Sequence, residues 1–432
     1  METRTMTKQN CLSDYSDCLR KIYIFLVSAL VLLVCGPGQG AQAQKYDLLI
    51  KGGHVIDPKN DIDRPMDLAV RDGQIARLGD DIPGDSSGKV IDARGLYVTP
   101  GLIDIHAHTY YGTEPNRSYS NGFNALPPDG FTFRAGVTTV VDAGGAGWRN
   151  FTHFKNQVIE RADTRVLAFL NIVGDGMSGL PEQNLDDMNP RMTALAARRN
   201  PEIVGVKIAH YSGPGWEAYQ RAVSAGKQSE IPVMVDIGGA VPLDTLFLEV
   251  LRPGDIYTHA FGGASGDEQA VVYDNGNLRE GMMEARKRGL IFDVGHGGGS
   301  FSFSTAIPAF EQGLKPTTFS TDLHTGSMND GMKNMANLLS KYLNIGMSMQ
   351  EVIEASTWKP AQVIRREELG HLSKGAVADI AVFKLREGTF GFVDAREQKI
   401  EGTQKLQAEL TIRAGKVVWD LNGLSVPQWK EQ

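Results

Sequence analysis

The sequence predicts an α/β fold: a (β/α)8 TIM-like barrel with a small β-sandwich domain formed by both termini. Three observations predict it. The middle of the chain alternates eight short apolar runs with longer amphipathic ones, the pattern of buried parallel strands joined by helical crossovers. Both ends read instead as hairpins, short β-like pieces broken by turn residues. With 432 residues, 41% of them hydrophobic and 22% charged, the chain has the length and composition for such a barrel with an appended sheet.

Residues 1–43 have the layout of a secretory signal peptide. Arg20 and Lys21 precede an apolar run from Ile22 to Val34, and Ala41-Gln42-Ala43 supplies a small-residue cleavage site. The run is shorter than the roughly 20 apolar residues that span a bilayer, which disfavours an uncleaved anchor. Val34 ahead of Cys35 argues against lipid attachment, which needs a small residue there. The expected mature chain starts at Gln44 and is exported, periplasmic or extracellular. Cleavage removes Cys11, Cys18 and Cys35, all the cysteines, so no disulfide supports the fold. A metal site must then use His, Asp, Glu or a modified Lys. The formal charge moves from −7 to −8, with no basic block, which gives no footprint for nucleic acid or for a membrane in the mature form. A small-molecule substrate is the expected partner, with self-association left open.

The N-terminal part of the sandwich spans residues 44–99. Its pieces are Tyr46 to Lys51, Gly52-Gly53, His54 to Ile56, then Asp67 to Arg71, Asp72-Gly73 and Gln74 to Leu78. The barrel spans 100–365. Its strands are Leu102 to Ile105, Thr138 to Val141, Arg165 to Leu170, Val204 to Ile208, Val233 to Ile237, Ile256 to Thr258, Ile291 to Val294 and Thr318 to Thr321. Helical patterns between them include Met188 to Arg199, Trp216 to Gly226, Leu243 to Leu251, Leu278 to Arg288, Ser304 to Gln312 and Met332 to Leu343. The C-terminal part of the sandwich, 366–432, contains Asp379 to Leu385 and Leu410 to Trp419 with the turn Ala414-Gly415-Lys416.

Barrels of this kind carry their active sites at the C-terminal strand ends. There stand His106 and His108 on strand one, Lys207 on strand four, Asp236 on five, His259 on six, His296 on seven and Asp322 on eight. The i, i+2 spacing of His106 and His108 on an extended segment turns both imidazoles to one side, where they can grip one cation. A protonated Lys207 would repel that cation, so it must be neutral or carry a carbon dioxide adduct. Asp322 is placed to act as general acid and base. His296, in the glycine-rich stretch Gly295 to Gly299, reads as a substrate contact, as do His324, Tyr211 and Arg149, with His210 a further pocket candidate. His54, His153 and His371 read as structural or exposed.

The string Pro100-Gly101-Leu102-Ile103-Asp104-Ile105-His106-Ala107-His108, with Val206-Lys207, Thr258-His259 and Ser320-Thr321-Asp322, resembles the amidohydrolase superfamily. It is most similar to the deacetylase-like metallohydrolases of the dihydroorotase and D-aminoacylase branch. The resemblance implies one or two divalent metals, zinc foremost, with His106 and His108 on the buried ion, carboxylated Lys207 as bridge, His259 on the second ion and Asp322 at strand eight. Asp236 stands where these enzymes usually place a histidine.

The implied activity is a metal-dependent hydrolase that cleaves an N-acyl amide or O-acyl ester of a small acid with a metal-activated hydroxide. Dihydroorotases usually carry an arginine where Tyr110 stands, and D-aminoacylases use a cysteine ligand that the mature chain lacks. The alternatives are a cyclic-amide hydrolase of the dihydroorotase or hydantoinase type, and a non-catalytic, metal-poor binding protein on the same fold.

Overall fold

A computed structural model describes residues 45–112, 124–177, 180–264 and 268–429. The leader-like segment 1–43 lies outside the described residues. Among the described residues, no helix is long and apolar enough to cross a membrane.

Strands β1 (Leu48–Asp57), β2 (Ile62–Arg71), β3 (Gln74–Gly79), β4 (Val90–Asp92) and β5 (Tyr97–Pro100) open the chain. The β2–β3 hairpin closes through Asp72-Gly73, with φ of 52° and 74° and Arg71 facing Gln74. Two left-handed residues in a two-residue loop match the right-handed twist of the strands, which is why Asp-Gly suits it. Gly52-Gly53, read in the sequence as a break between two strands, lies inside β1. The register skips between Ile50 and Gly53, and Gly52 adopts φ 68°. Glycine there lets the strand bulge without ending the ladder.

The barrel strands β6 (Leu102–Ala107), β7 (Val137–Gly147), β8 (Arg165–Asn171), β9 (Ile203–Ile208), β10 (Val233–Val235), β11 (Ile256–Tyr257) and β12 (Ile291–Phe292) pair in sequence order, all parallel. The eighth segment, 318–323, makes no continuous ladder but closes the ring. It bridges Asp293 through Thr318 and Ala107 through Leu323, both parallel, and exchanges bonds of 3.2 and 2.9 Å with His106 and His108. Alternate residues of six strands, Ile103, Val141, Phe169, Val204, Met234 and Ile256 among them, pack with Ala361, Ile364 and Leu369.

The crossover helices start where their caps dictate. Asn189 caps Pro190–Arg199 by accepting from Met192 N, and proline fits the first position because its missing N–H would be unpaired anyway. Ser302 caps Phe303–Glu311, and Asn334 caps Met335–Ile345. The pattern from Leu278 becomes helix only at Met282–Arg288, between Gly281 and Gly289, both at positive φ. The run from Leu243 is a short helical turn followed by a π-helical one, Leu246–Val250.

The chain ends in β13 (Ile380–Val393), β14 (Lys399–Arg413) and β15 (Lys416–Asp420). β13 pairs with β5 from Ile380 against Pro100 to Phe383 against Tyr97. The resulting order is β15-β14-β13-β5-β1-β2-β3, with β4 also on β1, so one sheet draws on both termini. Leu48, Val55, Val70, Val98, Val382 and Ile412 form part of its core.

Candidate active site

The strand-end residues converge. Asp322 Oδ1 lies 2.8 Å from His108 Nε2 and 3.5 Å from His106 Nε2. Lys207, completely buried, places Nζ 3.4 Å from His106 Nε2 and 3.6 Å from Asp236 Oδ2. Asp236 Oδ2 is also 3.5 Å from His259 Nε2 and 3.4 Å from His210 Nε2. Ligand-capable atoms of His106, His259 and Asp322 all lie within 4.8 Å of one another. Two neighbouring groups thus form, joined at Lys207. Gly144 leaves room for that lysine, since a Cβ there would stand 2.7 Å from Lys207 Cγ.

Three of these residues hold left-handed backbones: His210 at φ 57°, His259 at 58° and Asp322 at 51°. Such conformations cost about 1–3 kcal/mol each in non-glycine residues and persist only where surrounding structure fixes them. His259 Nδ1 is held 2.5 Å from Gly295 O, and Ser327 Oγ donates to Asp322 O at 2.7 Å.

Hydrogen bonds to the far side of each ring fix the tautomers. Thr258 Oγ1 donates its one proton to Asp293 Oδ2 at 2.8 Å, so it can only accept from His106 Nδ1, 2.9 Å away. His106 Nε2 is then left with its lone pair toward Lys207 and Asp322. Asp293 also takes hydroxyl protons from Thr318 and Ser320. Gly295 O likewise takes the Nδ1 proton of His259, freeing Nε2 toward Asp236. His324 has the opposite tautomer. Its Nδ1 accepts from Gly326 and Ser327 N–H at 3.1 and 3.3 Å, leaving an Nε2–H directed at Asp322 Oδ2, 3.7 Å away.

Burial, with Lys207 adding to it, holds His106 well below the usual imidazole range, so the ring is neutral, the form that binds metal. Burial pushes the Asp322 carboxyl up, but the hydrogen bond from His108 opposes it, and the group is held well below the usual range. Asp236 follows the same pattern, with His259 and Lys207 opposing burial. Asp104 supports the motif from behind. It accepts from His106 N at 3.2 Å and Thr321 N at 3.0 Å and bonds the Thr321 hydroxyl, tying strand one to segment eight.

These groups open into a cavity of about 450 Å³ whose lining includes His210, Glu268, Gly298, Ser300, His324 and Arg396. A recess of about 190 Å³ beside it is lined by the histidines, Asp236, Asp322, Asn124 and Met177. Three expected substrate contacts line neither space. His296 is completely buried, stacked on Phe301 at 4.5 Å, with Lys341 Nζ 2.6 Å from its Nε2, so it braces the glycine turn that does line the cavity. Arg149 is turned to Asp187 and Asp175. Tyr211 is buried over Gly213, where any side chain would strike its hydroxyl. His324 keeps its place. Tyr110 is fully buried against His153. Glu268 and Arg396 had no strand-end signal in the sequence, because both sit on loops.

Comparison with known proteins identifies the family. A deacetylase of Agrobacterium fabrum is 34% identical over 371 residues, 83% of each chain. The chain belongs to the amidohydrolase family. The family model for amidohydrolases matches residues 303–418. Among solved structures, an adenine deaminase superposes with a TM-score of 0.78 at 27% identity, covering 87% of this chain and all of the other. A dihydroorotase superposes at 0.75 and 29%, covering 86% and 99%. As an amidohydrolase, the chain is a metal-dependent hydrolase of carbon–nitrogen bonds other than peptide bonds, acting on a small molecule.

Proposed function

We propose that this amidohydrolase removes the acyl group from an N-acyl amide or O-acyl ester of a small acid. The observation that carries this reading is the convergence of His106, His108, Asp236, His259 and Asp322 on one recess, with buried Lys207 within 3.6 Å of His106 and Asp236, in a chain resembling a curated deacetylase.

The donor set fits a divalent metal, zinc first, since neutral imidazoles and carboxylates suit it and, among the described residues, Lys207 has no carbonyl partner to satisfy a buried ammonium. His106, His108 and Asp322 would hold the inner ion, and Lys207, as its carbamate, would supply an anionic oxygen donor beside it. Asp236 and His259 take the second. The histidine missing from strand five is supplied by His210, whose Nδ1 is occupied by buried Glu182 at 3.2 Å while Nε2 faces Asp236. When bound, such ions lower the pKa of water to about 7 and polarise a carbonyl.

The protein's own residues do the rest. Asp322 accepts the proton of the attacking water and returns it to the leaving nitrogen or oxygen. His324, kept neutral by burial, presents Nε2–H to the oxygen that gains charge. Tyr110, buried on His153, offers no carboxylate grip where dihydroorotases carry arginine, which favours an open-chain acyl substrate over a cyclic amide. We also propose export, on the layout of residues 1–43.

The test is metal analysis of chelator-free protein with a screen of N-acyl and O-acyl acids. Two metals per chain in the wild type and one in Asp236→Ala supports the assignment. An unchanged count removes Asp236 from the ligands, and no metal with no turnover leaves the binding-protein reading.

A further inference from the structure

The turn between β13 and β14 belongs to the sheet of the termini, yet it reaches the barrel's cavity. Arg396 lines that cavity with His259, Glu268, Ser300 and His324, and among the described lining residues it is the single Lys or Arg. The backbone beneath it is fixed. Asp394, completely buried, accepts from Arg396 N and Gln398 N, both at 2.8 Å, and from Phe303 N of the barrel at 2.9 Å. Ala395 N donates to Phe301 O at 3.0 Å, and Lys341 Nζ donates to Val393 O at 2.7 Å. Three of these bonds therefore clamp the turn to barrel residues.

The guanidinium, by contrast, is left available. Its one side-chain hydrogen bond among the described residues is a long one, Nη2 to Gly263 O at 3.4 Å, and it makes no salt bridge among them. A guanidinium carries five N–H donors in a fork that matches a carboxylate. The cavity's other charged side chains are the imidazoles and the carboxylates Asp236, Glu268 and Asp322. An anionic substrate needs a cation at the wall remote from the metal ligands, and Arg396 stands on a separate element from all of them.

We propose that Arg396 binds the carboxylate of the substrate, so that the terminal sheet supplies the specificity of a site whose chemistry is carried by the barrel. This rests on the acyl-acid reading, and Glu268, facing the same space, limits how strongly an anion is held.

The test separates the two ideas. Binding of N-acetylphenylalanine (both enantiomers) and of its decarboxylated counterpart N-acetylphenethylamine is measured by titration calorimetry on the metal-loaded chain, in an Asp322→Asn background so that turnover does not intrude. Adding Arg396→Ala is expected to weaken the acid by about 10- to 100-fold, the worth of a charge-assisted hydrogen bond, and leave the amine analogue unchanged. Arg396→Lys should fall between, and Glu268→Gln should tighten the acid. With Asp322 restored, Arg396→Ala should raise KM for the acid and spare kcat. Equal binding of the two probes to the parent, no binding of either, or equal weakening of both by Arg396→Ala overturns the proposal. Selective binding of the acid with no acetate released overturns the deacylase reading and leaves Arg396 standing.

Discussion

Replacing Thr258 with valine tests whether the inner metal depends on a hydroxyl that never touches it. The residue is fully buried, and valine matches its shape, so no cavity opens. Two bonds are lost: the one that takes the Nδ1 proton of His106 at 2.9 Å and the one donated to Asp293 at 2.8 Å. A neutral hydrogen bond contributes about 1 kcal/mol and one to a carboxylate about 1.5–3, so unfolding in urea should show a loss of about 2.5–4 kcal/mol. Asp293 keeps the hydroxyls of Thr318 and Ser320, so the fold should survive. His106 is then free to rotate or exchange tautomers, and outer-shell partners of this kind are worth about 10- to 100-fold in metal affinity. Competition against a chromophoric chelator measures this directly. Thr258→Ser, which restores the hydroxyl, should return affinity toward the wild type. Thr258→Val holding metal as tightly as wild type would refute the tautomer argument.

Asp322→Asn should keep most of the metal and lose about 10²- to 10⁴-fold in kcat, since an amide cannot take up the proton; a loss below about tenfold would remove Asp322 from proton transfer. His210→Ala should lower the metal count as Asp236→Ala does, because both flank the second site; two metals retained would make His210 a pocket residue only. Lys341, pushed down by burial to about 7, binds fewer protons in the folded than in the unfolded chain between about pH 7 and 10.5. The stability difference between wild type and Lys341→Met should therefore rise across that window, by at most about 1.4 kcal/mol per pH unit, and stay flat below it. Urea titrations at several pH values check this, and a difference that falls with rising pH would contradict it.

The barrel and the cluster of side chains at its strand ends were legible because they depend on short-range order. Buried parallel strands are apolar and of even spacing, and a strand end is by construction a site position, so His106, His108, Lys207, His259 and Asp322 could be read from the chain. What failed depended on partners far away in sequence. His296 looked like a pocket residue until Lys341, 45 residues on, claimed its ring. Arg149 was a free cation until Asp187 folded back on it. His210 reaches Asp236 through a left-handed backbone that nothing in its side chain foretells. Arg396 enters the cavity from a hairpin whose position is set by Asp394 and Phe303, a contact 91 residues apart.

The junction of β5 with β13 bears on how the chain is made. β5 lies in mid-sheet, between β1 and β13, and its Pro100 waits for Ile380. Translation at about 5–20 residues per second separates the two by roughly 15–60 seconds. During that interval the N-terminal strands present an open, apolar edge of the sort that joins other chains. The ladder that completes the sheet is thus among the last contacts available to the nascent protein, and the whole barrel must be synthesised while that edge stays bare. Any cell that produces this enzyme has to keep the half-sheet from finding a stranger's strand before it meets its own.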